Sequence, residues 1–165
     1  MKNLLLLSLL VFSLSFTALA ADKGISINVP LSPAGSFKIE AKKIKGKIKK
    51  SGDTYKAKEI YVKVKDMASG MDLRDEHLKN VDRLDEKGHP KVTVNDIVAK
   101  GGKGTATIVI KKKKKKINFQ YSIDGDSFVA KFKLNVKDFP LKKLKYLGVG
   151  VKDIISVTAT VPISK

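Results

Sequence analysis

Along most of this chain apolar and polar residues alternate one for one. In "INFQYSI", residues 117–123, Ile117, Phe119, Tyr121 and Ile123 fall on one face and Asn118, Gln120 and Ser122 on the other. That is the period-two pattern of a strand with one buried and one wet side. Phe128, Ala130, Phe132, Leu134 and Val136 alternate in the same way with Val129, Lys131, Lys133, Asn135 and Lys137. Ile60, Val62 and Val64 stand against Tyr61, Lys63 and Lys65, and Ile155, Val157, Ala159, Val161 and Ile163 form a further row. Runs of this kind at 25–29, 37–49 (bent near Gly46), 57–65, 91–99, 104–111, 116–123, 127–137 and 153–163 predict about eight strands, a number that suits a sandwich or a closed barrel. Turn chemistry separates most of them, in "KSGD" at 50–53, "KGGKG" at 100–104 and "DGD" at 124–126. The order of elements has no β-α-β crossover, so the reading is an antiparallel meander. Alternation does not prove closure, and open sheet edges are surfaces on which two subunits could pair as a homodimer.

One segment breaks the pattern. Residues 69–90, "SGMDLRDEHLKNVDRLDEKGHP", are polar and compatible with a helix capped by Asp72, with Asp75 at its third position. Leu73, Leu78, Val81 and Leu84 are spaced to face inward, and Gly88 and Pro90 end the segment. A connection this long within a tight meander either carries function or closes one end of a barrel.

The N-terminus adds a destination. "MKNLLLLSLLVFSLSFTALAAD" has a lysine at position 2, an apolar run, and Ala18 and Ala20 in the A-x-A arrangement that signal peptidase cuts. Residues 1–20 are therefore expected to be a secretory signal, leaving 21–165 as a single exported domain, periplasmic or secreted. The chain has no cysteine, which excludes a cysteine-linked lipid anchor, a disulfide framework and a thiolate metal site. Its net charge is +18, and the leader holds only Lys2 of that. For an exported protein such a field favours anionic envelope lipids and polymers over nucleic acid. Six lysines run from 111 to 116. The four central ones, Lys112, Lys113, Lys114 and Lys115, are the candidate contacts for an anionic membrane surface, unless the run is only a solvated tip.

No catalytic constellation appears. The two histidines, His77 and His89, lie in the connection, and the contiguous Asp75-Glu76-His77 does not bring three ligands to one helix face, so neither a metal nor another cofactor is expected. No nucleophile is placed beside a base. The aromatic residues fall on inward rows, which removes the stacking platform that a nucleic-acid-binding sheet needs. What remains is the interior. An eight-stranded barrel either packs its lumen solid or holds one small ligand. The inward rows offer Ile60, Val62, Val64, Phe119, Tyr121, Phe128, Phe132, Leu134 and Val157 as a lining that would accept a hydrocarbon chain and stay dry.

Two stretches carry a resemblance. Residues 69–94 hold Arg74, Asp75, His77 and Leu78 in an Arg-Asp-x-His-Leu core, followed by an acidic stretch and a proline that leads into a strand. Residues 136–163 hold an Asp-Phe pair, a loop and a closing "VGVKDIISVTATV" strand. Together they resemble the YceI-like family of exported polyisoprenoid-binding proteins. The resemblance implies an all-β fold, an eight-stranded antiparallel lipocalin-like barrel with one helical connection at about residues 69–90, and a non-enzymatic role holding an isoprenoid or other amphiphilic lipid in the lumen. It implies for Arg74, Asp75 and His77 an architectural role, pairing with one another or with nearby backbone to hold the connection on the barrel. The chain departs from the family pattern in its lysine-rich first strands, at Arg83, Leu84 and His89, and in the lysine hairpin that replaces a glycine turn. The other reading is a cationic module in which the barrel is only a scaffold for a lysine face that binds anionic lipid or polymer.

Overall fold

A computed structural model describes residues 23–146 and 148–164, so the expected leader lies outside the described residues. The alternating runs become β1 (Gly24–Ser32), β2 (Ser36–Ala41), β3 (Ile44–Lys45), β4 (Ile48–Ser51), β5 (Thr54–Lys63), β6 (Lys91–Lys100), β7 (Lys103–Ile110), β8 (Lys113–Asp124), β9 (Ser127–Asn135), β10 (Lys145–Tyr146), β11 (Val149–Val151) and β12 (Ile154–Ser164). A single α-helix, α1 (Asp72–Lys79), lies in the long connection between β5 and β6. The described residues thus form an all-β barrel with one short helix.

The ring closes through seven strands, not the eight expected. β4 to β9 follow one another as antiparallel neighbours, β12 pairs with β9 from Ile154↔Asn135 to Pro162↔Ser127, and the end of β12 meets β4 in parallel at Ile163↔Ile48. The expected 37–49 strand is broken into β2, β3 and β4, with Gly46 at φ +103° between the last two. Its first part leaves the ring to pair with β1, which lies against β12 along Gly24↔Thr160 to Asn28↔Ser156. Strand β6 carries a bulge between Asn95 and Val98, where Asp96 takes φ +53°. The extra residue returns Ile97 to the interior row.

The two ends of the barrel differ. At one end β4–β5, β6–β7 and β8–β9 turn in two residues each, at 52–53, 101–102 and 125–126. Just inside these turns the rings of Tyr55, Tyr121, Phe119 and Phe128 pack together. Tyr121 stacks on Phe128 at 4.6 Å between centroids, Tyr55 meets Phe128 at 5.5 Å and Phe119 meets it at 6.1 Å. Gly104 makes room for this cluster: it is paired directly with Phe119, and a Cβ there would fall 2.3 Å from Phe119 Cζ and 2.8 Å from the Ala99 Cβ. At the other end lie the 64–90 connection, the β7–β8 turn and the 136–153 connection. The two long connections at this lid end bury Val64, Met67, Leu84, Val136 and Phe139 beneath their polar surface.

The lysine block does not form one tip. Lys111 and Lys112 make the β7–β8 turn with φ +46° and +66°, and Lys113 to Lys116 are already part of β8. A left-handed conformation at both central positions is the type I′ geometry that matches strand twist, although it normally selects Asn-Gly.

Phe128 is 1% exposed at the centre of the aromatic cluster, so Phe128→Ala is expected to lose about 3–5 kcal/mol in denaturant unfolding. Lys112→Gly relieves the left-handed strain at the turn and is expected to gain about 1 kcal/mol in the same measurement.

Candidate functional site

Inside the ring is a cavity of about 200 Å³, many times the space that one water occupies and of a size that stays dry when its walls are apolar. Six of the nine residues proposed for the lumen lie on its wall: Ile60, Val62, Phe119, Phe128, Phe132 and Val157. The other three do not. Val64 is fully buried but sits in a 3-10 turn just beyond β5, after its row has left the sheet. Tyr121 is taken up by its stack on Phe128, and Leu134 is buried near the end of β9 without reaching the cavity. The wall also includes residues that alternation does not point to. Tyr61 belongs to the polar row of β5 but lines the cavity, with Lys91 Nζ 4.2 Å from its ring centroid, and Leu84, Leu141 and Leu144 reach it from the two long connections.

The connection supplies the charged part of the wall. α1 begins after Met71, which makes no side-chain cap, and Asp72 is the first helical residue and not the cap. The capping contact runs from within the helix: the Asp75 carboxylate accepts hydrogen bonds from the Ser69 backbone N–H and from Ser69 Oγ, each at 2.6 Å. This fixes the entry of the chain into the helix, next to the point where Glu40 and Ala68 exchange backbone hydrogen bonds and dock the connection on β2. Arg74 and Leu78, one helical turn apart, then lie on the cavity wall. The Arg74 guanidinium lies over the Phe37 ring, 4.2 Å from the centroid. His77 borders a surface cleft with Asn80, Asp82, Arg83, Lys143, Leu144 and Lys145. Leu73 and Val81, spaced for burial, are exposed, because the helix stops at Lys79 and the chain turns before Leu84 goes in.

Arg83 joins the two spaces. With Leu144 it belongs both to the cavity wall and to that surface cleft, and its guanidinium donates a hydrogen bond to the Lys143 carbonyl at 2.5 Å. Burial draws its pKa below the usual arginine value, yet a guanidinium stays charged at any physiological pH. Among the described residues Arg74 and Arg83 are the only charged ones on a cavity wall otherwise made of aliphatic and aromatic side chains, Met67 and Tyr61. Among the described residues neither has a carboxylate within ion-pair distance. The Asp82 carboxylate, next in sequence to Arg83, is bound instead to Lys143 at 2.6 Å, the contact that lowers its pKa most.

The four proposed membrane contacts are spread out. Lys112 is the exposed turn tip. Lys113 and Lys115 face Ile110 and Ile108 across the ladder and so continue the inward row of β8 at the lid end, while Lys114 and Lys116 point outward. Lys115 binds Asp138 at 3.0 Å. Lys111 donates to the Val81 carbonyl at 2.7 Å and the Pro140 carbonyl at 3.4 Å, tying the hairpin to both long connections. Beyond α1, Asp85 binds the His89 ring at 2.9 Å and the Gly88 N–H at 3.1 Å. Among the described residues no three His, Asp or Glu side chains are placed to share a metal ion.

With the cavity and its lid described, the comparisons can be set beside them. The model of the YceI-like domain matches residues 24–163. The chain belongs to the YceI-like family. No match is found among curated proteins. Among solved structures this YceI-like chain is similar to BcnA from Burkholderia cenocepacia, at 15% identity and a TM-score of 0.63 over 82% of this chain and 94% of that one. It is similar to the YCEI protein of Campylobacter jejuni at 17% identity and a TM-score of 0.63, over 79% and 86% of the two chains. It also resembles a polyisoprenoid binding domain from Saccharophagus degradans implicated in plant cell wall breakdown, at 10% identity and a TM-score of 0.59 over 86% and 92%. At these identities the shared property is the fold.

The Asp85 carboxyl is held below its usual range, first by the His89 ring, then by the Gly88 N–H. A carboxylate with a depressed folded-state pKa contributes stability above its unfolded value near 4, and that stability is lost as the pH falls through the lower, folded value. The Gly88 amide resonance is therefore expected to report a carboxyl titration displaced below about pH 4. Asp85→Asn, which keeps a residue that tolerates the φ of +57° there, should abolish the low-pH shift.

Proposed function

We propose that this protein is a non-enzymatic carrier or sequestering protein, exported to the periplasm or beyond the cell, that holds an isoprenoid-type or other amphiphilic lipid inside its barrel. The observation that carries this reading is the largely apolar cavity, stopped at one end by the aromatic cluster and bounded at the other by a connection with two arginines on its inner side. Membership of the YceI-like family and the fold shared with a polyisoprenoid binding domain support the same ligand class.

The chemistry of such a site is simple. Each methylene moved from water into the cavity contributes about 0.8 kcal/mol, reduced by the cost of ordering the chain. A linear, branched or unsaturated tail satisfies the wall equally, since almost nothing in it asks for a hydrogen bond. A polar head would not be stable in the apolar interior. It would rest at the lid end, where Arg74 and Arg83 are the charged residues on the wall. The bound lipid is thus oriented tail toward Phe128 and head toward α1. Lys111 and Lys115 are engaged within the protein, which favours the lumen over the lysine block as the ligand's site.

Protein purified without detergent is expected to release a lipid on solvent extraction, detected by mass spectrometry. Ala130→Phe places a ring into the cavity from the wall of β9 and should yield folded protein, judged by circular dichroism, that carries no extractable lipid. Lipid at equal occupancy in both proteins would sink the lumen as the site.

A further inference from the structure

Seven large apolar side chains stand exposed among the described residues, and five of them gather at one end of the barrel. Met71, Leu73 and Val81 lie on the connection that carries α1, and Val149 and Ile154 lie at β11 and the start of β12. Their exposures run from 43% to 67%. Both segments close the same barrel end, the lid end, whereas Val98 and Ile123 lie apart on β6 and at the far end of β8. Solvated loops on a protein this polar need no such cluster.

The charge around these residues indicates what would cover them. Lys112, Lys142, Lys145 and Lys152 are exposed at the same end and have no carboxylate within ion-pair distance among the described residues. Among the acidic groups interleaved with them, Asp82 is engaged with Lys143, Asp138 with Lys115, Asp153 with Lys137, Asp75 with Ser69 and Asp85 with His89, while Asp66, Asp72, Glu76 and Glu86 on the α1 connection have no ion-pair partner among the described residues. The positive excess at this end comes from the lysines of 111–116 and 136–153. Exposed hydrocarbon set among unpaired ammonium groups is the composition that inserts shallowly into a bilayer carrying anionic head groups. An acidic protein surface would match the charge but would leave the apolar side chains without a hydrocarbon partner.

We infer that the lid end is a docking face for an anionic lipid bilayer, through which the barrel takes up or delivers its ligand without exposing it to water. Docking itself stands on the surface residues. Its use for ligand transfer rests on the lumen reading proposed above. The geometry fits that use, because Arg83 and Leu144 connect the cavity wall to a cleft on this same end.

The test is co-sedimentation of the exported form, residues 21–165, which holds the whole barrel, with phosphatidylcholine vesicles and with vesicles that also contain phosphatidylglycerol. Binding is expected to the anionic vesicles, little to the neutral ones, and to weaken as salt is raised. Leu73→Asp with Val81→Asp changes two exposed positions and should cut anionic-vesicle binding by about tenfold or more, whereas Lys45→Gln with Lys49→Gln, on exposed wall positions of β3 and β4, should lower it far less. Equal binding to neutral vesicles, unchanged binding of the Leu73 and Val81 variant, a greater loss in the wall variant, or no vesicle binding at all would each overturn the docking face. Ala130→Phe separates the two proposals: a filled lumen should still dock, so loss of extractable lipid with retained vesicle binding removes the ligand and spares the face.

Discussion

A sheet that is apolar on one side has to cover that side, and here it covers itself. The nine-pair β9–β12 ladder sets the last strand beside β9, and the end of that strand reaches β4 at Ile163↔Ile48 to shut the ring. Once the ring is shut, backbone donors and acceptors along the wall are paired and the inward rows need no second layer. The remaining exposure is at the two open ends. These need different solutions, because one end is made of two-residue turns too short to reach across the barrel, and the other of long connections that can.

At the turn end the interior closes itself with large rings. Four aromatic side chains from β5, β8 and β9 meet there, and Gly104 gives up its own side chain so that Phe119 can lie across the sheet. The lid end is held by a different class of contact: the Asp75 link to Ser69, the Asp85 link to His89, and the Lys111 ammonium between two carbonyls. Several of these involve exposed or half-exposed groups and are individually weak. These weak contacts supplement Val64, Met67, Leu84 and Phe139, which the same connections bury in the interior.

The rows were legible because alternation reports directly on which side of a strand is buried. Ile60, Val62, Phe119, Phe128, Phe132 and Val157 reach the cavity wall for that reason alone. Legibility failed where a row runs past the sheet or past the cavity. Val64 continues the period of β5 in sequence but lies in a 3-10 turn, and Tyr121 is on the inward row yet belongs to the floor. It failed also in the lid. Eight helical residues are too few for periodicity to mark a buried face, so Leu73 and Val81 appear inward in sequence and are outward in space, while Arg83, marked in the sequence only as a departure from the family pattern, joins the cavity to the surface.

The lysine block shows the same limit for charge. As a sequence it is a single solvated run, but a strand has two faces and a turn has a left-handed pair, so the six residues divide among three environments. Lys111 and Lys112 form the turn, with Lys111 acting as a strut between the two connections. Lys113 and Lys115 extend the inward row of β8 at the lid end, where Lys115 finds Asp138, and Lys114 and Lys116 take the outer face. The cavity wall beside Lys113 and Lys115 stays apolar, because their ladder partners Ile110 and Ile108 both line it and Leu84, Leu141 and Leu144 continue it from the lid. One run of like charge thus serves as turn, strut and strand without itself bounding the cavity.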